Sequence, residues 1–155
     1  MTTSEPTRVV ADADVLAADL LVGGPAREAL DHVRGHDWLM LVASDPLVAD
    51  AEAVIGTLAE TDLAAAWRAR FEDERCRVEH PPGDHPALAS AIAGDAGHVL
   101  TFDDRLTGPK AGVSLQQYAI SVRTPAAFAT VFDPAAVYEG FVGDRYPGPD
   151  ADPRE

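Results

Sequence analysis

Val9-Val10-Ala11 is an apolar run that ends abruptly in Asp12, and Asp14 follows on the same parity. His98-Val99-Leu100-Thr101-Phe102 ends the same way, in Asp103 and Asp104. Short buried runs that stop in carboxylates read as strands of an open α/β sheet, whose ligands bind outside the carboxyl ends of the strands. Carboxylates gathered at that edge repel one another and need a proton or a cation to offset their charge. Two further acids are candidates to join them. Asp50 falls early in the helix after a second apolar run, and Asp84 opens the helix that leads into the third. Asp84 is the outlier, because a helix leading into a strand is expected to begin at the opposite edge of the sheet.

The elements that must position these acids follow from periodicity and from the breakers between them. Strands are expected near residues 9–11, 39–43, 99–102 and 119–122, with a short one at Cys76-Arg77-Val78. Residues 15–22 and 26–33 are helical, separated by Gly23-Gly24-Pro25. Ser44 or Asp45 caps a helix with Pro46 at its first position, and Leu47, Val48, Ala51, Val54, Ile55 and Leu58 recur on one face. Residues 63–73 form another helix. Asp84 caps a helix that Pro86 starts, Thr124-Pro125 opens one through Phe132, and Asp133-Pro134 opens one through Phe141. The alternation of strand and helix predicts a three-layer α/β/α Rossmann-like sandwich with a mainly parallel central sheet. One domain is expected over residues 7–142, followed by a disordered acidic Pro/Gly-rich tail over 143–155.

The chain of 155 residues carries a net charge of −14, with Lys110 as its single lysine. Such an acidic surface with few lysines suits a halophilic cytosol, where carboxylates hold water and salt screens their repulsion. Acidity of that origin neither supports nor excludes a nucleic-acid substrate. Cys76 is the single cysteine, so neither an intrachain disulfide nor a cysteine zinc site is available. No apolar run is long enough to span a bilayer, and the first residues lack the features of a signal peptide, so a cytoplasmic location without membrane contact is expected.

Several segments, in order, carry a likeness to one family. Val10-Ala11-Asp12-Ala13-Asp14-Val15-Leu16 resembles the opening strand of PIN-domain nucleases. Ser44-Asp45-Pro46-Leu47-Val48-Ala49-Asp50 is similar to the segment bearing their second acid, and Asp84-His85-Pro86-Ala87-Leu88-Ala89-Ser90-Ala91 to that bearing the third. Thr101-Phe102-Asp103-Asp104-Arg105-Leu106 is similar to the fourth, and Val122-Arg123-Thr124-Pro125-Ala126-Ala127-Phe128 to the closing strand and helix. The resemblance covers residues 8–132 and departs at two places. The second acid is usually Glu where Asp50 stands, with Glu52 close by, and Phe102 stands where Gly is common.

The resemblance implies a metal-dependent ribonuclease in which Asp12, Asp50, Asp84 and Asp103 bind Mg²⁺ or Mn²⁺ and carry catalysis. The ion would activate water for attack on an RNA phosphodiester. Asp14, Ser44, Glu52, Thr101 and Asp104 would support that site, and Arg27 and Arg105 would contact the RNA. Partners implied are RNA, an antitoxin-like protein, or a second copy of the chain. Two other readings stay open. One is a PIN-like binding or dimerisation module without catalysis. The other is a phosphatase of the haloacid dehalogenase type, suggested by Asp12-Ala13-Asp14-Val15, although the required lysine should precede the last acidic pair and Lys110 follows it.

Ordinary structural roles compete for some of these residues. Asp45, Asp84 and Asp133 each suit a helix cap. His80 and His85 read as loop and cap residues. Arg68, Arg70, Arg75 and Arg77, interleaved with Glu72, Asp73, Glu74 and Glu79, read as a salt-bridged surface.

Overall fold

A computed structural model describes residues 5–82, 85–108 and 118–150. Five parallel strands, β1 (Glu5–Ala11), β2 (Met40–Ser44), β3 (Arg75–Val78), β4 (Ala96–Leu100) and β5 (Ser121–Arg123), form one sheet in the order 3-2-1-4-5. Across the centre Val9 stands beside Leu41 on one side and Val10 beside Val99 on the other, and the β1–β4 register shifts between Glu5 and Val9. Helices α1 (Ala13–Leu21), α2 (Gly24–Arg34), α3 (Asp45–Leu58) and α4 (Thr61–Glu74) connect β1 through β3. Helix α5 (Pro86–Ala93) crosses from β3 to β4, the four-residue α6 (Asp104–Thr107) follows β4, and α7 (Pro125–Val131) and α8 (Pro134–Val142) follow β5. Right-handed crossovers that step first towards β3 and then back towards β5 must lie on opposite faces of the sheet. The expected α/β/α sandwich is therefore the architecture observed.

Local chemistry accounts for most helix starts. Ser44 Oγ accepts from Leu47 N at 3.4 Å, Thr124 Oγ1 from Ala127 N at 3.2 Å, and Asp133 Oδ1 from Ala135 N at 3.1 Å. Pro125 and Pro134 directly follow their caps at the first helical position, whereas Pro46 stands second because Ser44 and not Asp45 is the cap. The centre of the sheet is apolar on both faces: Val9, Val10, Val42, Val99 and Leu100 are fully buried. That continuous Val/Leu composition is what a parallel sheet covered on both sides requires. Gly97 lets β4 approach β1, since a Cβ there would stand 2.8 Å from Glu5 O.

Two expectations need correction. The first helix begins at Ala13, not Val15, because the Asp12 side chain accepts from Ala13 N and caps it. The short strand expected at residues 76–78 is present over 75–78, paired parallel to β2 from Leu41↔Arg75 to Ser44↔Val78. α5 is consequently a crossover helix that starts at the carboxyl edge, which removes the reason for placing Asp84 at the opposite edge. The cap of α5 is His85; Asp84 itself lies outside the described residues. Finally, part of the segment expected to be disordered is anchored. Tyr146 hydrogen-bonds His36 Nε2 and packs on Tyr138, and Asp150 N donates to Gly35 O at 2.7 Å. An aromatic ring with an apolar surface to cover outweighs the Pro/Gly composition around it. No helix among the described residues is long and apolar enough to cross a membrane.

Candidate active site

The strand order reverses between β1 and β4, and a crevice opens at such a switch point outside the carboxyl ends. Asp12 stands there, with its N–H donated to Leu100 O at 2.8 Å. Its Oδ1 accepts from Ala13 N at 2.8 Å and its Oδ2 from the Thr101 hydroxyl at 2.9 Å. Thr101 is fully buried, and its Oγ1 also accepts from Asp103 N at 3.0 Å. One hydroxyl therefore ties the acid that ends β1 to the acid that follows β4.

Asp14, in the first turn of α1, bends back to the same edge. Its Oδ2 accepts from Phe102 N at 3.2 Å, while Oδ1 is buried with no hydrogen-bond partner among the described residues. Burial foremost, then the charge of Asp12 and more weakly that of Asp103, push its carboxyl above the ordinary range; N–H bonds from Phe102 and Val15 oppose this. The charges of Asp12 and Asp103 thus both bear on Asp14. Asp103 caps α6 and is clasped by Arg105, whose Nε lies 3.1 Å from Oδ1 and Nη2 3.0 Å from Oδ2. The Arg105 hydrogen bonds hold the Asp103 carboxyl below its usual value.

His85 completes the cluster. Its Nδ1 accepts from Ala87 N at 3.3 Å, and its Nε2 stands 3.9 Å from Asp12 Oδ2. The sequence assigned this residue only a cap. Its place beside Asp12 follows once residues 75–78 are recognised as a strand, because the next helix must then start at the carboxyl edge.

Other expected members are less engaged. Asp50 is exposed on α3 and makes no hydrogen bond or ion pair among the described residues. Glu52 pairs with Arg68 at 3.1 Å, towards α4. Asp104 is exposed at the start of α6. Ser44, fully buried, accepts from Ser90 Oγ at 3.0 Å and lies 2.9 Å from His80 Nε2. It ties β2 to α5 and to the loop before it. Arg27 is a correction. Named from the sequence as an RNA contact, it instead donates to Asp19 O at 2.7 Å and Leu20 O at 3.2 Å, at the end of α1 opposite the Asp12 cap. The free carbonyls of a helix C-terminus are a natural partner for a guanidinium three residues into the following helix. Arg75 and Arg77 form the expected ion-paired surface, both on Asp45. They hold its carboxyl far below the usual range. Lys110, on which the phosphatase reading turns, lies outside the described residues.

Among the described residues no group of three or more His, Cys, Asp or Glu side chains is gathered tightly enough to hold a metal ion. The observation that fits a cation is narrower: the buried, unpartnered Oδ1 of Asp14 between two other carboxylates.

Fold and site together define a parallel α/β protein with Asp12, Asp14 and Asp103 near one another at the carboxyl edge of β1 and β4, its switch point. The chain belongs to the family of unknown function DUF7384, whose family model matches residues 3–154. No curated protein and no solved structure matches it.

Proposed function

We propose that the protein is a metal-dependent ribonuclease of the PIN type. The observation that carries this reading is the meeting of Asp12, Asp14 and Asp103 at the switch point, with Asp14 Oδ1 buried and unpartnered. A desolvated carboxylate oxygen that no donor satisfies is stabilised by a cation, and hard divalent ions prefer such ligands. By the family resemblance Asp12, Asp50, Asp84 and Asp103 would hold Mg²⁺ or Mn²⁺, with Asp14, whose Oδ1 has no other partner, beside them; among the described residues alone no three acids gather closely enough to hold an ion. When bound, the ion supplies Lewis acidity and an acidified water for attack on phosphorus. The chain's own groups fix the geometry. Thr101 and Ala13 N each hold one oxygen of Asp12, so the carboxylate cannot rotate away. Arg105, exposed and paired with Asp103, would exchange that partner for an RNA phosphate. The products would carry a 5′-phosphate and a 3′-hydroxyl.

A second reading, a PIN-like module without catalysis, is favoured by three observations. Arg105 occupies Asp103, Asp50 stands apart, and Phe102 is 44% exposed where a smaller residue would leave the approach open. The two readings separate in one assay. End-labelled single-stranded RNA is incubated with the protein in high KCl containing Mn²⁺, Mg²⁺ or EDTA. Cleavage with either ion, absent in EDTA and in Asp12→Asn, is the expected result. Intact RNA under all conditions, with the protein folded, overturns the nuclease and leaves the inert module.

A further inference from the structure

The nuclease reading leaves two side chains on the β4–β5 side of the site without a role. Phe102 stands just past β4, between Thr101 and Asp103, and is 44% exposed. Its main chain is tied down around it. Thr101 N donates to Arg123 O at 3.0 Å, Phe102 N to Asp14 Oδ2 at 3.2 Å, and Asp103 N to Thr101 Oγ1 at 3.0 Å. A large apolar ring is thus carried on a fixed backbone among acids. A single exposed ring would need no explanation by itself; its neighbour gives it one.

That neighbour is Arg123, which ends β5 opposite Leu100 of β4. Among the described residues, Arg123 and Arg145 are the arginines with no carboxylate within ion-pairing distance. Arg145 is exposed in the tail segment, whereas Arg123 is half-buried at the carboxyl edge. With 26 acidic side chains for 12 basic ones, a half-buried arginine left without a carboxylate stands apart. A partly desolvated guanidinium is stabilised by an incoming anion, and its planar fork matches two phosphate oxygens. The Thr101–Arg123 hydrogen bond holds the two positions one strand spacing apart, about 5 Å.

We propose that Phe102 and Arg123 form a subsite for one nucleotide beside the scissile bond, its base stacked on the Phe102 ring and a phosphate oxygen held by the Arg123 guanidinium. The inference rests on the nuclease reading and gives the RNA a path. The strand crosses the ends of β4 and β5, away from β3, where Arg75 and Arg77 are already committed to Asp45. Stacking accepts any base, since every base has a π-face. The guanidinium offsets the repulsion between the acids and the backbone phosphates.

The test alters protein and RNA in turn. Binding of a short fluorescein-labelled single-stranded RNA is read by anisotropy over a range of KCl, with Ca²⁺ in place of Mn²⁺ to separate binding from cleavage. Phe102→Ala should weaken binding roughly fivefold to a hundredfold, and Phe102→Trp should keep it near wild type. An abasic site moved along the RNA should find one position at which wild type loses the same factor and Phe102→Ala loses nothing further. Arg123→Ala should reduce the slope of log Kd on the logarithm of KCl concentration by about 0.7. A neutral methylphosphonate at one linkage should do the same to wild type and nothing to Arg123→Ala. Variants that bind like wild type, or losses that persist on every abasic and methylphosphonate RNA, overturn the subsite alone. RNA bound with these dependences yet never cleaved in Mn²⁺ removes the nuclease reading and leaves the subsite to the inert module. Wild type that neither binds nor cleaves RNA overturns both.

Discussion

Asp14→Asn should reverse sign between the metal-free and the metal-loaded protein. In the free protein, Asp14 Oδ1 is buried without a partner and the carboxylate is repelled by Asp12 and Asp103. A buried polar group left unsatisfied costs about 1–3 kcal/mol. Asp14 is only half-buried, which argues for the lower end. Asparagine keeps an acceptor for Phe102 N and removes the charge, so the variant should gain about 1 kcal/mol, or about 2–4 °C in a chain of this size. With Mn²⁺ at a hundredfold excess over its dissociation constant, wild type should gain about 2.7 kcal/mol by mass action. That corresponds to about 5–10 °C, most of which the variant should lose. The melting order of the two proteins would therefore invert when EDTA is replaced by Mn²⁺ at equal ionic strength. The pH dependence has a definite sign. A carboxyl raised above its ordinary 3.8 in the folded state destabilises at neutral pH, and the penalty fades as pH falls through the raised value towards 3.8. The gap between variant and wild type in EDTA should narrow over that interval. Calorimetric melts of both proteins settle the matter. An Asp14→Asn protein that melts below wild type in EDTA, or an equal Mn²⁺ shift in both, would refute the reasoning.

Other expectations follow from single contacts. Burial among Phe128 and Phe132, with the Arg123 charge nearby, lowers His98 from 6.5 to about 4. Stability should be fully present above pH 6.5 and decline between there and about 4, by up to about 3 kcal/mol, and His98→Leu should remove that slope in urea titrations. The Arg75 side chain is 3% exposed and joins Ala43 O, Asp45 and Glu72. Arg75→Ala should cost about 1–3 kcal/mol by chemical denaturation, moderated because both carboxylates regain water. Tyr146→Ala should cost about 1–2 kcal/mol and expose Trp38 to fluorescence quenchers, since Tyr146 covers His36 and Tyr138 beside that ring. An unchanged Trp38 spectrum would show that the segment does not seal the cluster.

The sequence by itself determined the sandwich and its helix starts, because both are local. Val/Leu runs of strand length, the three-and-four spacing of α3, and the Ser44, Thr124 and Asp133 caps before prolines each act within a few residues. It also picked out Asp12 and Asp103, since a carboxylate directly after a buried strand can only lie at the carboxyl edge. Tertiary structure alone decided the rest. The parallel pairing of residues 75–78 with β2, a long-range hydrogen-bond pattern without strong hydrophobic periodicity, put the start of α5 and His85 at the crevice. Burial around Asp14 turned an ambiguous surface acid into a desolvated one. Arg27 met the carbonyls at the end of α1 because α2 folds back on that helix, a packing event no spacing rule encodes. The tail residue Tyr146 found a ring 110 positions away. In each case the deciding partner is distant in the chain, and the energy of meeting it exists only after the sheet has assembled.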